Sequence, residues 1–161
     1  MMIFNKNASF FIYFLFLCSC GGSIGAGTLG GWDTISFAVK ERKLDSAINN
    51  IYETYPEFQA PAKWQYAKEY WKNSGYDFLH AHFFYFKESP EEMYYVSYIA
   101  AGSDNPSPAR IAIRSVYTEA MGWRKNDKFS KEENTRITKR FNNEIISKLE
   151  EYTNTRSKVE D

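Results

Sequence analysis

The sequence predicts an α+β fold: an antiparallel sheet of about four strands with helices packed on one face and a long C-terminal helix. Three observations lead there. Apolar and polar residues alternate near 34–39 and again in aromatic-rich runs between 76 and 117, which is the period of a strand. After residue 41, apolar residues recur three and four apart, the period of a helix. The same spacing returns after Ser130 and runs for more than twenty residues, at a chain length of 161 that suits one domain.

Ile35, Phe37 and Val39 alternate with Thr34, Ser36 and Ala38 and predict the first strand. Leu44, Ala47, Ile48, Ile51, Tyr52 and Tyr55 then form one helical stripe over 41–55. Pro56 ends it, because proline brings no amide donor and disfavours helical geometry in the residue before it. Trp64, Ala67, Tyr70 and Trp71 predict one face of a brief second helix that stops near Gly75.

Residues 76–86 read as a strand with Leu79, Ala81, Phe83 and Tyr85 on one face and Phe78, His80, His82, Phe84 and Phe86 on the other. A turn over 87–92 and a second strand over 93–99 complete an antiparallel hairpin. The run 102–108 is a loop by composition. Residues 110–117 supply a third strand, with Ile111, Ile113 and Tyr117 facing one way and Arg110 and Arg114 the other. Ser130 and Glu133 fit a capping box. Behind it, Ile137, Phe141, Ile145, Leu149 and Tyr152 mark a helix over 131–153, with Glu132–Arg136 and Glu144–Lys148 as exposed pairs four apart. The tail 154–161 has no apolar stripe and is expected to fray.

The chain begins differently. Residues 8–17 are apolar or small and follow Lys6, the arrangement of a secretory signal, and the run is shorter than the roughly 20 residues a membrane-spanning helix needs. Leu17-Cys18-Ser19-Cys20 resembles the lipobox of bacterial lipoproteins. That resemblance implies cleavage after Ser19, removing 1–19, and a diacylglyceryl group on the Cys20 sulfur. Two or more acyl chains anchor a protein durably. By the same resemblance, Gly21 stands where an inner-membrane retention signal would carry Asp, which points to the outer membrane, and no acidic cluster follows Cys20 to suggest export to the cell surface, which points to its periplasmic face. Residues 20–31 then hold the lipidated Cys and a Gly-rich tether of roughly 18 Å average reach, leaving 32–153 as the domain.

Twenty Lys and Arg balance twenty Asp and Glu, so the sequence offers no electrostatic case for nucleic acid. Arg124, Lys125, Lys128, Lys131, Arg136, Lys139 and Arg140 are interspersed with Asp127, Glu132 and Glu133 and read as a solvated face, with anionic headgroups or polysaccharide as the other reading. No nucleophile elbow, phosphate loop, dinucleotide fingerprint or His-Glu-x-x-His is present, and the expectation is a protein without catalytic residues or cofactor. His80 and His82 share a strand face. A metal there would need carboxylates such as Asp77 or Glu88, and the expectation is no metal site.

The strongest hint is aromatic. Adjacent rings in 83–86 and 94–98 must point to opposite faces, and helices on one side cannot cover both. An exposed ring surface made from Phe84, Phe86, Tyr94, Tyr95 and Tyr98 is therefore expected, unless the segment with Trp64 and Trp71 covers it. The chain reads as a lipid-anchored envelope protein of interaction, accessory or inhibitor type, held to the membrane by its anchor and binding an envelope protein. The alternative is a module that stacks a small ligand or saccharide on that face.

Overall fold

The computed structural model describes residues 31–76, 80–99 and 108–160. The signal segment, Cys20, most of the tether, Asp77 and positions 102–107 of the expected loop lie outside them.

Alternation and stripe become strand and helix where the sequence places them. β1 is Thr34–Phe37, α1 is Glu41–Thr54, and α2 is Gln65–Trp71, closing on a turn where Gly75 has φ 80°. Next come β2 (Ala81–Phe86), β3 (Glu92–Tyr98) and β4 (Ala109–Thr118). β2 starts later than expected, because Tyr76 still belongs to the turn after α2. A short β5 (Gly122–Arg124) folds back on β4.

The capping box forms as the sequence requires: the Glu133 amide donates to the Ser130 hydroxyl at 3.2 Å, and the Ser130 amide donates to the Glu133 carboxylate at 2.8 Å. The helix behind it comprises α3 (Lys131–Phe141), a wider π turn (Asn142–Ile146) and α4 (Ser147–Thr153). Phe141, Asn142, Ile146 and Ser147 keep right-handed helical angles, so the three pieces run on as one helix. Asn154, in the left-handed region at φ 53°, ends it and turns the chain back.

The tail expected to fray is instead a strand. Ser157–Glu160 forms β6, antiparallel to β1, with Ile35 opposite Val159. Among the described residues the sheet therefore has six strands rather than about four, in the order β2-β3-β4-β1-β6 with β5 beside β4. All pairings are antiparallel.

The expectation of helices on one face alone also needs correcting. α1, α3 and α4 bury Leu44, Ile48, Ile51, Ile137, Phe141 and Leu149 against Phe37, Phe84, Tyr94, Val96 and Ile111. The opposite face is also covered: Trp64 and Ala67 pack with Tyr85, Met93 and Tyr117. Trp64 is fully buried, and its indole N–H donates to Glu119 at 2.7 Å. This second, aromatic core exists because alternation sends odd-numbered rings of β2 and β3 away from the first one.

Simple alternation puts Tyr117 beside Ile111 and Ile113, yet it lies in the second core while Val116 joins the first. The cause is a bulge: Tyr95 pairs with Ser115 and Val96 with Ile113, leaving Arg114 as an extra residue that shifts the alternation. Arg136 departs from expectation as well, turning inward to Glu92 instead of pairing along its helix with Glu132.

Candidate functional site

The five rings expected to form an exposed platform are buried. Phe84, Phe86, Tyr94 and Tyr98 face the helices, and the Tyr94 hydroxyl donates to Glu92 at 3.0 Å. Tyr95 alone points the other way, where Trp71 stacks on it with centroids 4.2 Å apart and planes 11° from parallel. The segment carrying Trp64 and Trp71 thus occupies the surface that a flat ligand would need. Burial together with the charge of Asp45 raises the Tyr98 phenol above its usual range.

Covering that face creates a new aromatic surface one layer out. Tyr66 and Tyr70 sit one turn apart on α2 and are 55% and 54% exposed, with Met121 of the β4–β5 turn 39% exposed beside them. The helical stripe in the sequence assigns Tyr70 to the buried face, but that face is filled by Trp64, Ala67 and Trp71. A hollow of about 680 Å³ lies between α2 and the β4–β5 hairpin, lined by Tyr66, Tyr70, Tyr117, Met121, Trp123 and Arg124.

The ridge is held in place. The Tyr66 hydroxyl makes a short hydrogen bond with that of Tyr117, and its ring meets the Tyr117 ring edge-on at 6.2 Å. The Trp123 indole N–H donates to the Ala67 carbonyl at 2.9 Å, tying the hairpin to α2. Burial, with the Tyr66 bond second, keeps the Tyr117 phenol protonated to high pH.

A second constellation joins α1 to the free edge of the sheet. His82 on β2 and His80 just before it project toward α1, where Glu41 and Asp45 stand four residues apart on one face. His82 Nε2 lies 3.0 Å from Asp45 Oδ1, His80 Nε2 lies 3.3 Å from Oδ2, and His80 Nδ1 lies 2.8 Å from Glu41 Oε1. The Tyr98 hydroxyl also donates to Asp45 Oδ1, at 2.9 Å. Burial is the main influence on His82 and lowers its pKa, partly opposed by Asp45.

Asp45, His80 and His82 are the described residues that could hold a metal, each offering a ligand atom within 4.8 Å of the others. Among the described residues the carboxylate is that of Asp45; Glu88 lies instead by Arg140 and Glu144, and Asp77 lies outside the described residues. Of the basic run, Arg136 and Arg140 are committed to Glu92.

Compared with protein-family models, with curated proteins and with solved structures, the chain matches none.

Proposed function

We propose that this chain is a lipid-anchored protein of the bacterial envelope, tethered through Cys20 to the outer membrane on its periplasmic side, that binds a protein partner on the Tyr66–Tyr70 ridge and the hollow beside it. The observation that carries the binding reading is the pair of tyrosines more than half exposed on one turn of a helix, bordered by Met121 and Trp123. Tyr, Trp, Met and Arg are the residue types enriched where proteins meet, and rigid rings lose little entropy on docking. The clamp from Tyr117 to Tyr66 fixes the ridge before any partner arrives.

A saccharide reading is supported less well, because the faces of Tyr95 and Trp71 that would serve as a stacking platform are turned to each other. The anchor rests on the likeness of Leu17–Cys20 to a lipobox. No helix among the described residues is long and apolar enough to cross a membrane.

Site-specific photocrosslinking in cells tests the reading. A photoreactive phenylalanine analogue at position 70 of the full-length chain should give one discrete protein adduct, and the same analogue at Val159 on β6 should not. Changing Tyr66 to Ser in the position-70 protein should weaken that adduct. Identical adduct patterns from positions 70 and 159, or retention on envelope glycan that depends on Tyr66 and Tyr70, would contradict a protein partner.

A further inference from the structure

We propose that Asp45, His80 and His82 form a binding site for a divalent transition ion, zinc by preference, with Glu41 orienting His80. This site is separate from the aromatic ridge and does not depend on the partner proposed there.

Two imidazoles and two carboxylates converge at the cluster, with the ligand atoms of Asp45, His80 and His82 within 4.8 Å of one another. An ionised carboxylate only accepts, so the 2.8 Å contact between His80 Nδ1 and Glu41 places the imidazole proton on Nδ1. The Nε2 of His80 is left facing Asp45 Oδ2 at 3.3 Å. That contact is made by a second imidazole proton or by a metal ion that takes its place. Asp45 Oδ1 is meanwhile approached by His82 Nε2 and the Tyr98 hydroxyl, so the group converges on one carboxylate from three sides.

The distances suit zinc. A zinc ion sits about 2.0–2.2 Å from nitrogen and oxygen ligands, which puts neighbouring ligand atoms about 3.0 to 3.4 Å apart for angles between 90° and tetrahedral. The two imidazole-to-carboxylate separations, 3.0 Å from His82 to Oδ1 and 3.3 Å from His80 to Oδ2, fall in this range, so an ion between the rings would be met by both carboxylate oxygens. The rest of the adjustment falls to His80, whose side chain is 48% exposed and would pivot about its hydrogen bond to Glu41.

The surroundings supply the supporting groups. Metal-bound histidines commonly donate their other N–H to a carboxylate, which fixes tautomer and ring angle, and Glu41 stands in that relation to His80. Tyr98 supports the carboxylate in the same way and stacks on His80 with centroids 4.7 Å apart. Two imidazoles with one carboxylate favour zinc, copper or nickel over calcium or magnesium, which prefer all-oxygen shells. Three protein ligands with the half-exposed His80 at the rim leave a fourth position for water or for a donor from another molecule.

The test titrates zinc chloride into the full-length protein after chelator treatment, followed by calorimetry, with the cobalt(II) absorption spectrum as a second readout. The expected result is one equivalent bound in the wild type, lost in His80→Ala and in Asp45→Asn. Glu41→Gln should weaken binding about 10- to 100-fold, as for other outer partners of metal-bound histidines. His80 is exposed, so His80→Ala keeps the fold, and an unchanged circular dichroism melt verifies that. Failure of the wild type to bind zinc would overturn the proposal. So would zinc uptake that His80→Ala and Asp45→Asn leave unchanged, since the ion would then be elsewhere on the surface.

Discussion

The Glu92 carboxylate, 1% exposed at the start of β3, receives both terminal nitrogens of Arg136 from the long helix, at 2.6 and 2.8 Å. Arg140, one turn on, adds a third bond at 3.0 Å, and the Tyr94 hydroxyl a fourth. One buried charge is thereby shared between sheet and helix. Losing one side of such a pair leaves the other desolvated without compensation, at a cost of about 3–5 kcal/mol. Glu92→Ala is expected to lower the stability by that amount in urea unfolding. A loss of less than about 1 kcal/mol, the scale of an exposed ion pair, would show that the network contributes little.

Trp64 anchors the second core, with its ring edge-on to Tyr85 and Tyr117 at 5.4 and 4.9 Å. Trp64→Ala removes a fully buried indole and the 2.7 Å bond it donates to Glu119, so a cost of about 3–5 kcal/mol is expected. Because the same residue seats α2, iodide quenching of tyrosine emission should rise in this variant as Tyr95 and Tyr117 become accessible.

Gly31 sits where the chain enters the domain. Its carbonyl accepts from Asn126, and the next amide, of Trp32, donates to the Ile113 carbonyl at 3.1 Å. A Cβ at Gly31 would lie 2.6 Å from that same Ile113 oxygen, which is backbone and cannot turn aside. Gly31→Ala should therefore cost about 1–3 kcal/mol, the range for overpacking, and amide exchange at Trp32 should accelerate.

β6 is pinned by an acid. Glu150 accepts from the Ser157 amide and hydroxyl, both at 2.8 Å, and pairs with Arg156. The Ser157 amide, ahead of its hydroxyl and Arg156, holds the Glu150 carboxyl below its ordinary value of 4.5. A depressed folded pKa gives stability that is full above the unfolded value and disappears as pH falls through the folded one. The protection of the Ser157 amide, taken relative to exchange in an unstructured chain at the same pH, should stay high above about pH 4.5 and fall below it. In Glu150→Gln the exchange should be faster and lose this acid dependence.

Much of this architecture was legible because periodicity reports burial directly. Leu44, Ala47, Ile48 and Ile51 could face only one way, and Ser130 with Glu133 announced the long helix. Alternation correctly sent Tyr94 and Tyr95 to opposite faces. What it could not give was the layer over Tyr95, since α2 has aromatic residues on every side and its pattern leaves the choice between Trp71 and Tyr70 to tertiary packing. The bulge at Arg114 has no local signature, as its cause is the pairing with β3. β6 carries no strand signal, because Ser157, Lys158 and Glu160 offer no apolar face; backbone pairing and the Arg110–Glu160 ion pair hold it.

The histidine cluster was half readable. His80 and His82 stood out by their spacing, but their carboxylate lies 35 residues before His80 on a helix. The available signal was Glu41 and Asp45 at i and i+4, a separate acidic face beside the apolar stripe. Only the docking of α1 on β2 brings the two pairs together.

The proposed anchor at Cys20 would decide which surface the domain is tethered to and therefore which partners can reach the Tyr66–Tyr70 ridge. Intact-mass spectrometry of the mature protein from a bacterial membrane fraction tests it most directly. A lipoprotein anchored in this way gives a polypeptide beginning at Cys20 and carrying the added mass of a diacylglyceryl group. A mature chain with an unmodified Cys20 thiol, or one that starts at any other residue, would contradict it.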